Sequence, residues 1–134
     1  MAYESKHRFA RIAPRKARLI MDLVRGRDVD DAISMLRFSK QRASGMIEKV
    51  IRSAVANANE QSDAPIRSTL YVAKAWVDPG PVIKRFQPKD RGKACPINKR
   101  TSHLVVTIDE RDEGETAPRA LNRSIGGRQG KARR

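Results

Sequence analysis

The sequence predicts an α+β fold: three helices packed on a small antiparallel sheet, with a long protruding β-hairpin and a basic C-terminal tail. Three observations lead there. Apolar residues recur at three- and four-residue steps between positions 14 and 62, then change to alternation between 67 and 110. The two alternating stretches are joined by more than twenty residues, PGPVIKRFQPKDRGKACPINKRT. The 134 residues carry 29 Lys+Arg against 15 Asp+Glu, a net charge of +14, and the excess is confined to a few places.

In chain order, Tyr3–Ile12 reads as a third strand preceding the helices. A helix from Pro14 to Arg25 follows, because proline suits a first turn and Gly26 suits the stop. Ala17, Ile20, Leu23 and Val24 form its expected apolar stripe. A short helix capped by Asp28 turns Val29, Ala32, Ile33 and Leu36 inward. The most regular segment runs from Ser39 to Ser62. There Ala43, Met46, Ile47, Val50, Ile51, Ala54, Val55 and Ala58 keep helical spacing, with Ser39 as the expected N-cap.

The period then shortens. RSTLYVAKAWVD, residues 67–78, and SHLVVTIDE, residues 102–110, are rich in β-formers. Tyr71, Ala73, Ala75 and Val77 are expected on one strand face; Leu104, Val106 and Ile108 are expected on the other strand's inner face. The two strands should pair antiparallel against the helices. The connection between them is too long for an ordinary hairpin loop and, with Val82, Ile83, Phe86 and Ile97, too apolar for a linker. It reads as an extended ribbon over about 79–101, projecting some 25–30 Å from the body.

The length suits one domain, residues 1–111. Residues 116–134 hold six basic side chains and no acid, so 112–134 reads as a basic flexible tail. No apolar run approaches the roughly 18 residues of a membrane span. The opening MAYESKHRFARIAP lacks the apolar core of a secretory signal. Cys95, the single cysteine, excludes an internal disulfide and a cysteine-cluster zinc site.

Enzymatic chemistry is poorly supplied. His7 and His103 have no carboxylate at a useful spacing. Cys95 sits in a basic run without an evident base, and the RGK at 91–93 lacks the surroundings of a phosphate loop. Neither a catalytic group, a metal site nor a cofactor is expected. Charge placement is more informative. Residues 22–80 are nearly neutral at +1, whereas residues 1–21 carry +5 and residues 81–101 carry +6. One charge run is usually a solvated face; several on an otherwise balanced chain point to a polyanion. Arg11, Arg15, Lys16 and Arg18 bracket a helix N-terminus, where backbone N–H groups already favour phosphate. Only six aromatic residues occur, and none forms an evident stacking platform. Recognition of nucleic-acid backbone and shape is therefore expected over base reading. The competing reading is a DNA architectural protein with a basic β-arm and Pro88 or Pro96 as a wedge.

The residues themselves resemble the bacterial large-subunit ribosomal protein twenty-two family over nearly all of 5–111. The matching pieces are RIAPRKARLIMDLVRG at 11–26, SAVANA at 53–58, VDPGPVIKR at 77–85 and KRTSHLVV at 99–106. Ala13 departs from the family's frequent Ser or Thr. The resemblance implies a cytoplasmic, structural ribosomal protein that binds large-subunit rRNA, supports subunit assembly and touches neighbouring ribosomal proteins. It also implies that the hairpin lines the exit tunnel, beside the nascent polypeptide and near the macrolide site. Carried over, the rRNA contacts are Arg11, Arg15, Lys16, Arg18, Lys84, Arg85, Lys89, Arg91, Lys93, Lys99, Arg100 and His103. The tunnel-lining residues are Ile83, Lys84, Arg85, Lys89, Arg91 and Lys93.

Overall fold

The computed structural model describes residues 2–61 and 70–110. In chain order they form β1 (Tyr3–Ala10), α1 (Pro14–Val24), α2 (Val29–Phe38), α3 (Arg42–Gln61), β2 (Leu70–Pro88) and β3 (Ala94–Glu110). The expected tail at 112–134 and the start of the first β-rich stretch, 67–69, lie outside the described residues.

Pro14 occupies the first turn of α1, and the Ala13 carbonyl accepts the N–H groups of Lys16 and Ala17. The helix buries Ala17, Ile20, Met21 and Val24. That stripe corrects one expectation: Leu23 is half exposed, and Met21 is fully buried in its place. Positions 17, 20, 21 and 24 follow the i, i+3, i+4, i+7 spacing of one helical face, and 23 falls beside it. Asp28 holds the N-cap position of α2, which buries Val29, Ala32 and Leu36, with Ile33 partly covered. In α3 the periodic residues are inside as expected, with Met46 only partly so. Ser39 does not cap α3. It ends α2, and α3 starts later, at Arg42. The Ser44 hydroxyl donates back to the Ser39 carbonyl at 3.1 Å, so the serine pair closes the α2–α3 corner.

The sheet order is β1-β3-β2, with both pairings antiparallel. Leu104, Val106 and Ile108 face the helices and are completely buried. On β2 the inner face is Leu70 and Val72, then Ala75 and Val77. The expected face of Tyr71, Ala73, Ala75 and Val77 is thus right only in its second half. A β-bulge between Val72 and Lys74 inserts an extra residue, and one residue of slip exchanges the two faces. Lys74, Trp76 and Asp78 consequently point away from the helices.

The helices cover one face of the sheet, as suits an antiparallel sheet with one solvated face. None of the apolar core lies between Val77 and Leu104. Strand β2 is an edge strand, and α1 closes it. Arg18 donates through Nε and Nη2 to the Val77 carbonyl at 3.3 and 3.2 Å. Arg25 donates likewise to Ala75 at 3.2 and 2.6 Å. Nearer the strand's start, the Gly26 N–H reaches the Val72 carbonyl at 2.8 Å, and the Val72 N–H reaches Arg27 at 2.9 Å. Backbone groups that would template another strand are thereby engaged.

Candidate nucleic-acid interface

Strands β2 and β3 stay paired far beyond the body, from Pro79 opposite Ser102 to Pro88 opposite Ala94. At about 3.3 Å per residue this arm spans about 30 Å. A register shift between Pro79 and Val82 marks where it leaves the body. There Gly80 is sterically required: a Cβ would lie 2.6 Å from the Thr101 hydroxyl oxygen. That hydroxyl donates to the Pro81 carbonyl at 2.6 Å, so it is not free to move aside.

The ribbon ends in a single 3-10 turn, Asp90–Gly92. The Lys89 N–H donates to the Lys93 carbonyl at 2.7 Å, and Arg91 and Gly92 both adopt left-handed φ, near 57° and 71°. This turn presents Lys89, Arg91 and Lys93 at the tip, all exposed. Along the arms Ile83 pairs with Lys99, Lys84 with Asn98, and Arg85 with Ile97. Alternation therefore turns Ile83 and Arg85 to one side and Lys84 to the other. Phe86 is 75% exposed and Ile97 37%, so the ribbon leaves apolar surface open.

The N-terminal cluster lies at the root of this ribbon. The Ser102 hydroxyl, fully buried, donates to the Ile12 carbonyl at 3.1 Å and ties the β1–α1 turn, with Arg11, to the base of β3. Arg18 reaches Val77 one residue before β2 turns outward. Arg11, Arg15, Lys16 and Arg18 are all exposed, as is Arg100 on the ribbon. Sequence reading assigned Arg18 to a polyanion alone; the structure also gives it the strand edge. No sequence signal reveals that second role, because the acceptor is a backbone carbonyl 59 residues away.

His103, also expected at the interface, is half buried. Its Nδ1 accepts the Phe9 N–H at 3.0 Å, and its ring meets the Phe9 ring edge-on with centroids 4.9 Å apart. Phe9 and Trp76 are both partly exposed on the open face of the sheet. His7 is exposed on β1. Cys95 is partly exposed on the ribbon, paired with Gln87. Between α2 and α3 a concavity of about 630 Å³ has mixed charge, from Asp30, Arg37 and Arg52. Among the described residues no group of three or more His, Cys, Asp or Glu is placed to hold a metal ion. No described helix is long and apolar enough to cross a membrane.

A small packed body bearing a long cationic ribbon that its own core does not need is the build of a structural ribonucleoprotein component. The model of the family described as ribosomal protein L22p/L17e matches residues 5–109, and the chain belongs to that family. It is similar to the large ribosomal subunit protein uL22 of Lacticaseibacillus casei (strain BL23), with 52% identity over 102 residues, covering 76% of this chain and 86% of that one. The protein of the same name in Lactobacillus helveticus (strain DPC 4571) is 48% identical over 110 residues, covering 82% and 93% respectively. This is a family of structural, non-enzymatic ribosomal proteins, and bacterial ribosomes are cytoplasmic.

Proposed function

We propose that the body docks on large-subunit rRNA at the ribbon root and that the ribbon threads through the RNA to the nascent-chain tunnel. The observation that carries this is the ribbon. An isolated two-stranded ribbon is marginal in water, and this one bears Lys84, Arg85, Lys89, Arg91, Lys93, Lys99 and Arg100 against the single acid Asp90. Its stability in service comes from the polyanion around it. Arg11, Arg15, Lys16 and Arg18 anchor the root, with His103 beside them. Midway along the ribbon, Ile83 and Arg85 face one side and Lys84 the other, so one set borders the lumen while the other rests on RNA. Lys89, Arg91 and Lys93 form the tip, within reach of a passing polypeptide and of macrolides bound in the tunnel. Neighbouring ribosomal proteins meet the body away from this surface. Domain limits follow the same division: residues 1–111 form the RNA-binding domain and 112–134 a basic extension.

The test is excision of Lys84–Lys93 with the arms rejoined by a tight turn. None of these residues is buried, so folding of the body and entry into large subunits should persist. Ribosomes carrying the variant should translate a pausing peptide differently and respond differently to a macrolide. Normal entry with both responses unchanged would make the ribbon an RNA anchor only. Failure to enter would make it the principal binding element.

A further inference from the structure

The face of the sheet turned away from the helices carries chemistry that a phosphate-binding surface does not need. Strand register places Lys6, Val105 and Trp76 in one row across it, with His103 and Asp78 in the next. Opposite His103, β1 bulges between His7 and Ala10, and Phe9 takes a left-handed φ of 58°. A non-glycine residue holds that conformation only when its surroundings enforce it. Here the Phe9 N–H is bound by His103 Nδ1, the two rings pack edge-on at 80°, and the Arg8 guanidinium stands 5.3 Å from the Phe9 ring centre. The ring is 55% exposed despite this fixation.

Trp76 is restrained as well. Its Nε1–H donates to Asp78 Oδ2 at 3.2 Å, and it packs beside Val105, which is nearly buried although it faces away from the core. Between these groups lies a cleft of about 320 Å³ lined by Lys6, Arg8, Trp76, Asp78, His103 and Val105. Covering Val105 alone would need only an aliphatic side chain. An oriented indole beside two cations, with a carboxylate at its edge, is a more particular arrangement.

We propose that this cleft receives an unpaired nucleotide of ribosomal RNA, with its base stacked on Trp76 and its phosphate held by Lys6 and Arg8. The inference rests on the RNA-binding reading above and adds to it a single-stranded element. Stacking on a sheet-borne aromatic is available only to a base that has left its duplex, whose paired bases hide their faces. Asp78, with one oxygen on the indole, keeps acceptor capacity for the amino or imino edge of the base. Charge in the cleft favours RNA over a neutral or basic protein surface: Lys6 and Arg8 stand against Asp78 alone among its lining residues, and Glu4 outside the lining is already paired with Lys6 at 3.1 Å.

Trp76 is the only tryptophan in the chain, so its emission reports on the cleft alone. The full chain is titrated with a short mixed-sequence single-stranded RNA and, separately, with the same sequence as a blunt duplex. Single-stranded RNA should quench Trp76; the duplex should bind through the basic root without quenching. Trp76→Leu and Phe9→Leu should each weaken single-strand binding about ten-fold while leaving duplex affinity and its salt slope unaltered. The quenching arm uses the unmodified protein and stands even if a variant folds poorly. Single-strand binding without quenching, or equal losses for both RNAs, would overturn the stacking site and leave the RNA-binding reading intact. Absence of binding to either RNA would overturn that reading itself.

Discussion

Replacing Arg15 and Lys16 together by alanine separates what α1 needs for folding from what it offers to RNA. Both side chains sit in the first turn of α1, which holds no acid. That is the wrong end for cations, since the helix dipole there disfavours each by about 0.3–1 kcal/mol. Alanine also has the higher helix propensity. Both side chains are exposed and make no hydrogen bond or ion pair among the described residues. The double variant should therefore be as stable as the parent or more stable by up to about 1 kcal/mol. For a domain of this size that raises the thermal midpoint by a few degrees. Affinity for a large-subunit rRNA transcript should nevertheless fall. Two lost phosphate contacts, each worth about 0.7–0.9 in the slope of log K against log[salt], flatten the slope by about 1.5. Thermal denaturation followed by circular dichroism, and filter binding across a salt series, measure the two halves. Arg18→Ala is the control, because it also frees the Val77 carbonyl and should lower the midpoint. An unchanged slope in the double variant would show that Arg15 and Lys16 are merely solvated. A lowered midpoint would refute the reasoning that folding does not need them.

Gly80→Ala should destabilise the body by about 1–3 kcal/mol, because its methyl displaces the Thr101 hydroxyl from its bond to Pro81; a thermal midpoint equal to the parent's would show that the ribbon root adapts freely. Ser102→Ala leaves the buried Ile12 carbonyl without its donor and should cost about 1–2 kcal/mol. Urea unfolding measures it, and a loss under about 0.3 kcal/mol would mean that water replaces the hydroxyl. Arg25→Ala removes two hydrogen bonds from the Ala75 carbonyl and the ion pair with Asp22 at 3.1 Å. Its side chain is half exposed, so about 1 kcal/mol is expected, together with a rise in concentration-dependent association seen by light scattering. A variant that stays monodisperse would show that the edge is protected without it.

The helices were legible in the sequence because burial on one face writes a 3.6-residue period that survives local exceptions. The ribbon was legible for a different reason: so long a connection, basic yet studded with apolar residues, suits neither a tight turn nor a solvated linker. What escaped were features decided by a single backbone residue. The bulge beside Ala73 leaves composition untouched but reverses which side chains face the core, so Leu70 and Val72 turned inward where Tyr71 and Ala73 were expected. Ser39 satisfies the pattern for starting one helix and ending another, and only the geometry of the corner decides. Of the interface, the cations were visible as cations. That Arg18 and Arg25 serve backbone carbonyls was not, since a carbonyl has no letter in the sequence. Phe9 was hidden twice over, by the bulge that turns it out and by the histidine, distant in sequence, that holds it there.

The middle strand of the sheet, β3, is also the last described element to be synthesised. β1 is paired only with it, and so is β2. A growing chain therefore holds its first strand in waiting through three helices and the whole ribbon before a partner exists. Every sheet contact for β1 is non-local, the slow kind of pairing. Until β3 is made, β1 has no partner strand and the helices lack the middle strand of the sheet they cover, a state prone to association. A chain stopped before Ser102 can pair its ribbon but gains none of the sheet that covers the helices. The body thus matures in one late event, and a nonsense codon anywhere before that point yields a sticky fragment instead of a partial domain.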